Sequence, residues 1–136
     1  MNTNELQLCS YMQAKQLREA GFNWPTSYYY DTVRDATLRY SNPNNHNDDA
    51  QYSKNEWGMY TSVPTVAHAL KWFRDVKKIQ SGIDFGYHYG EKTVIFYGSY
   101  RSDKGGFGLN NSETYESAES ELLDKLLKLI EDGQAN

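Results

Sequence analysis

Residues Pro64–Ile79 read PTVAHALKWFRDVKKI. Val66, Leu70, Phe73 and Val76 recur at helical spacing on one side, and Lys71, Arg74, Asp75, Lys77 and Lys78 fill the other. Pro64 suits a first turn, where its missing N–H would have no intrahelical partner, and either Ser62 or Thr65 is placed to cap it. The pattern predicts an amphipathic central helix ending near Ser81-Gly82. Strand-like sequence lies on both sides, so this helix is the natural support for a sheet.

Working forward, Ile83, Phe85, Tyr87 and Tyr89 alternate with Asp84, Gly86 and His88. Gly90-Glu91 fits a two-residue II′ turn, which places glycine first. Thr93–Tyr100 then returns as the partner strand, and the shared face of Phe85, Tyr87 and Tyr89 is expected to be core. Residues 101–113, RSDKGGFGLNNSE, read as a glycine-rich polar loop. Thr114 caps a last helix whose stripe is Ala118, Leu122, Leu123, Leu126, Leu129 and Ile130. Gly133 ends it, leaving 134–136 as a frayed tail.

Working backward, Met59–Val63 is a short strand into the central helix. Residues 41–58 form a long polar loop, of the length that is usually functional or mobile. Ser27–Asp31 and Thr37–Ser41 pair across a turn near Arg34–Asp35, since tyrosines favour strands. Ser10 and Gln13 make a capping box for a first helix running to Ala20. Gly21 is the left-handed residue after it, with Phe22 folding back on Leu17. The expected fold is therefore α+β: one domain over 1–136, an antiparallel sheet built from two hairpins, three helices in the order α-ββ-α-ββ-α, helices mainly on one face.

Three stretches together resemble a family: LCSYMQAKQLREAGFNWP, PTVAHALKWFRDVKKI and TYESAESELLDKLLKLIE. They are similar to small uncharacterised proteins recurrent in gut-bacterial genomes and in their phages and mobile elements. The resemblance implies a bacterial cytoplasmic or phage-encoded protein, and it supplies no catalytic residue.

Bulk composition narrows the function. The chain of 136 residues carries a net charge of −4, and 12 tyrosines give it an aromatic-rich core. A pI near 5.3 opposes non-specific binding to nucleic acid or anionic membrane, which needs a basic field. The one cysteine permits no intrachain disulfide and fits a reducing, cytoplasmic setting. MNTNELQLCSYMQAK has neither the basic nor the apolar region of a leader, and no apolar run is long enough to span a membrane.

Candidate chemistry is sparse. Cys9 stands at a helix entrance but has no placed histidine partner, so a buried packing role outweighs catalysis. His46, Asp48 and Asp49 offer metal-ligand types without a metal-loop spacing. KGGFG lacks the remainder of a phosphate-binding loop. His88 with Asp84 is the single imaginable acid/base pair. No cofactor or metal is expected, and an enzyme is disfavoured. The candidate surface is Tyr28, Tyr29, Tyr30, Trp57, Arg74, Lys78, His88, Tyr97 and Tyr100. It suggests a small protein-interaction module, because Tyr, Trp and Arg carry most interface energy. The alternative is single-stranded nucleic acid stacked on Tyr28–Tyr30, Tyr97 and Tyr100, with phosphates held by the basic side of the central helix. Homo-oligomerisation is open.

Overall fold

The computed structural model describes residues 7–33, 35–87 and 93–133. Its elements are α1 (Tyr11–Glu19), β1 (Thr26–Asp31), β2 (Thr37–Asn44), β3 (Tyr60–Val63), α2 (Val66–Val76), β4 (Gln80–Tyr87), β5 (Val94–Ser102), β6 (Gly105–Ser112) and α3 (Tyr115–Glu131). The α+β class and the expected helix and hairpin order hold. The strands form two three-stranded antiparallel sheets, ordered β2-β1-β3 and β4-β5-β6. The chain divides into two compact units, Met1–Thr65 and Val66–Asn136.

In the first unit the predicted capping box is complete. Ser10 Oγ accepts from Gln13 N at 3.1 Å, and Gln13 Oε1 accepts from Ser10 N at 3.0 Å. The far end of α1 also follows its sequence. Gly21 has φ +97°, and Phe22 N donates to the Leu17 carbonyl at 2.9 Å, the long return bond of a Schellman ending. Cys9, Ala14, Leu17, Phe22 and Val63 are buried. β1 is central, pairing Tyr28–Asp31 with Tyr60–Val63 on one side and with Thr37–Tyr40 on the other. Its register with β2 then breaks, since Tyr28 faces Tyr40 but Thr26 faces Asn44. Ser41, Asn42 and Pro43 thus oppose Ser27 alone and bulge from the ladder. A bulge on an outer strand is where proline is tolerated, because no ladder N–H is lost.

The expected loop 41–58 is corrected at its start, for β2 runs to Asn44. The remainder holds two 3-10 turns, Asp49–Gln51 and Lys54–Glu56. Asp48 caps the first turn by accepting from Ala50 N.

In the second unit α2 is shorter than its pattern. It ends at Val76, Lys78 sits outside it at φ +60°, and Ile79 N returns to the Phe73 carbonyl at 3.1 Å. The buried side is Val66, Ala69, Trp72 and Phe73, while Val76 is exposed. The apolar stripe is thus rotated toward Trp72, whose ring outweighs Val76 in buried area. β4 and β5 pair as Ile83 with Gly98, Phe85 with Phe96 and Tyr87 with Val94. The turn at Gly90-Glu91 and the residues His88 and Tyr89 lie outside the described residues.

Two expectations fail in this unit. Phe85 and Tyr87 are 67% and 68% exposed, so they are not core. The glycine-rich stretch is not a loop but β6, paired with β5 through Tyr100–Phe107 and Ser99–Gly108. α3 packs over the face that holds Ile83, Gly98 and Leu109. A side chain at Gly98 would stand 3.3 Å from Leu122 Cβ, so glycine lets the helix approach the sheet. Ala118, Leu122, Leu123, Leu126, Leu127 and Leu129 are buried along α3.

Candidate functional site

The first unit contains a cavity of about 460 Å³ lined by Tyr29, Ser41, Asn42, Pro43, Asn44, His46, Tyr52 and Tyr60. Its walls follow from the register. Tyr29 and Tyr60 come from neighbouring strands, and the Ser41–Pro43 bulge supplies a third wall. The segment after β2 folds back to add His46 and Tyr52.

His46 is 4% exposed. Its ring stacks on Tyr29 with centroids 4.3 Å apart and planes 22° off parallel. Its Nε2 stands 3.1 Å from Ser41 Oγ, and its Nδ1 3.4 Å from the Tyr52 hydroxyl. Burial lowers its pKa, partly opposed by a hydrogen bond to the Thr26 backbone. The imidazole is therefore neutral at physiological pH. Tyr52 and Tyr60 lie with ring centroids 4.5 Å apart. The Tyr60 hydroxyl donates to Glu56 Oε2 at 2.9 Å, and that bond is the main reason its pKa is pushed up to about 12.

The segment is fixed from below by α1. Arg18 Nη1 donates to the Tyr60 carbonyl at 2.6 Å, and Nη2 meets Asp49 Oδ2 at 2.6 Å. The Gly58 backbone N–H binds Asp49 as well, at 3.0 Å, and is the leading cause of its lowered pKa, ahead of Arg18. Asn47 Nδ2 donates to the Phe22 carbonyl at 2.9 Å, while Ser62 N donates to Asn47 Oδ1 at 3.0 Å. His46 N donates to Ser62 Oγ at 2.9 Å. Ser62, weighed above as a helix cap, instead anchors this segment from β3.

A serine beside a neutral histidine invites a nucleophile and base reading. The local bonds argue otherwise. The Asn42 carbonyl, 2.9 Å from Ser41 Oγ, competes with the imidazole, at 3.1 Å, for the hydroxyl proton. The other ring nitrogen faces a tyrosine hydroxyl rather than a carboxylate, which is the usual partner that stabilises an imidazolium. The arrangement suits recognition: aromatic surface, a neutral imidazole, and hydroxyl and amide groups along one side. His46, Asp48 and Asp49 do not converge on a metal, since Asp49 is taken by Arg18 and Asp48 caps a turn. Among the described residues no group of three histidine, cysteine or acidic side chains is set to hold one.

The sequence-predicted surface residues scatter. Tyr29 enters the cavity; Tyr28 pairs edge-on with Tyr40, and Tyr30 with Tyr11. Trp57 is half exposed and donates to the Tyr52 carbonyl at 3.2 Å, bracing the segment without lining the cavity. In the second unit Tyr100 is 5% exposed, so it is no stacking platform. Tyr97 lies on the opposite face, over Gly86. The basic helix face is also thinner than expected. Arg74 reaches Asp75 at 3.4 Å, Lys77 sits 5.5 Å from the Trp72 ring, and Lys78 has left the helix. His88 lies outside the described residues. Ser41, Asn44 and Tyr52 fall within the 41–58 stretch expected as a contact surface without being singled out, and Tyr60 was missed, because only a register break and a loop closure bring them together. The dense turn-formers after Ser41 were the one usable signal.

No helix among the described residues is long and apolar enough to cross a membrane. Compared with models of known families, with curated proteins and with solved structures, the chain matches none.

Proposed function

We propose that this chain is a small non-catalytic binding module that engages a protein partner through the tyrosine-lined cavity of its first unit. The observation that carries the reading is the preformed cavity, held open by the Arg18, Asn47 and Asp49 bonds. At about 460 Å³ it falls within the size range of ligand pockets, roughly 300–1,000 Å³. Its mixed lining fits one apolar or aromatic side chain with a polar edge. Because its walls are tied down, less ordering entropy opposes binding. The single thiol, buried at Cys9, fits action in a reducing bacterial cytoplasm.

The test is capture from bacterial lysate on the immobilised chain, with and without nuclease, repeated with Tyr52→Ala. The expected result is a defined protein that survives nuclease and is lost with the variant, whose fold is checked by circular dichroism. Recovery of nucleic acid, with every protein lost on nuclease treatment, would replace this reading by single-strand binding. Equal capture by Tyr52→Ala would remove the cavity from it.

A further inference from the structure

β6 is an outer strand of the β4-β5-β6 sheet, so one of its backbone edges has no strand partner among the described residues. Its eight residues, GGFGLNNS, contain no proline and no charge. Those are the guards that usually keep an outer strand from pairing with another chain. A Cβ at Gly108 would meet nothing within 4 Å, so no side chain covers that face of the strand.

Beside this strand runs a groove of about 650 Å³. Tyr100, Phe107 and Leu109 line it from the sheet, and Leu129 lines it from α3. Phe107 is 52% exposed, a large ring left at the rim. The groove's charged lining residues are Lys104 and Lys125, and no carboxylate faces them there. Neither lysine forms an ion pair among the described residues. An unguarded edge, an apolar groove and two unmatched cations are the parts that recognition by strand addition requires: backbone bonds for affinity and side-chain pockets for selection.

We infer that β6 is a docking edge for an extended acidic peptide. The peptide adds as a fourth strand, seats an apolar side chain in the groove between β6 and α3, and sets a carboxylate against Lys104 and Lys125. This site is separate from the tyrosine cavity and lies wholly in the second unit.

The test uses the full chain and a short fluorescent peptide of alternating valine and threonine with two glutamates at one end. Controls are the same peptide with lysines in place of the glutamates, and a version N-methylated at alternate amides. Fluorescence anisotropy should show the glutamate peptide binding about tenfold more tightly than the lysine peptide, a difference of ~1.4 kcal/mol. Lys104→Glu with Lys125→Glu should reverse that preference, and N-methylation on the pairing edge should abolish binding. Lys104 is exposed and Lys125 half-buried, and amide spectra will report that the fold survives both changes. No binding at millimolar peptide, equal binding of the two peptides, or indifference to N-methylation would overturn the proposal. So would peptide-induced amide shifts that leave Gly105–Ser112 unmoved. Concentration-dependent dimerisation blocked by the lysine changes would assign the edge to a second copy of the chain instead.

Discussion

Arg18→Met is the sharpest probe of how the cavity is held. Methionine keeps the apolar stem and removes the guanidinium. Two short charge-assisted bonds are lost, to the Tyr60 carbonyl and to Asp49, both at 2.6 Å. Such bonds contribute about 1.5–3 kcal/mol each when protected from water, whereas an exposed ion pair contributes ~0–1 kcal/mol. Arg18 and Asp49 have side-chain exposures of 19% and 31%, between those limits. Asp49 also keeps its bond from Gly58 N, so it is not orphaned. The combined cost is about 2 kcal/mol, which for a chain of this size lowers the Tm by roughly 6–8 °C. Equilibrium denaturation gives the free energy, and hydrogen exchange localises it. The amides of His46, Gly58 and Ser62 should exchange faster, while those of α3 should not. A cycle with Asp49→Asn should show coupling of about 1 kcal/mol. A change within ~0.5 kcal/mol, or strictly additive single changes, would refute the claim that Arg18 fastens this segment.

Burial depresses the His46 pKa, so its contribution to stability is present above the unfolded value of about 6.5 and is lost as pH falls through the folded value. His46→Gln should flatten the fall in Tm between about pH 7 and pH 5; the remainder should trace to His68, lowered by burial and then by Lys71. Glu119 has the opposite sign. Burial and then Glu116 raise its pKa against a Tyr115 hydrogen bond, so its stabilising contribution is full below about pH 4.3 and is lost as pH rises through the folded value. Glu119→Gln should therefore raise the Tm at neutral pH and gain little near pH 4, as paired thermal scans will report. Gly98→Val should cost about 1–3 kcal/mol by overpacking, since even a Cβ would lie 3.2 Å from Leu109 Cδ1; chemical denaturation measures it.

Local signals were legible in the sequence wherever they were self-contained. The Ser10/Gln13 box, the Gly21-Phe22 ending and the Thr114 cap each depend on residues a few positions apart. The α3 stripe was readable because so many leucines repeat along it. β6 was not readable, because GGFGLNNS has neither alternation nor strand propensity. Its pairing comes from β5, which it joins through a tight return at Ser102 and Gly105. The exposure of Phe85 and Tyr87 was equally hidden, since alternation identifies a face but not how far a helix extends over it. The cavity depended on a register break beside Ser27, and no pattern in SNPNN announces that three residues will oppose one.

The way the strands are connected bears on how quickly the chain can find its structure. No ladder between named strands joins residues farther apart in sequence than Tyr28 and Val63, and β4, β5 and β6 follow one another as a simple meander. Short loops close at small entropic cost, so each sheet can begin to form without waiting for a distant segment. The same economy has a hazard. A growing meander offers its last strand as an open edge before α3 has covered the adjoining face. Nascent chains crowded together can pair along β6, and docking of α3 hides the apolar face beside it without closing that edge.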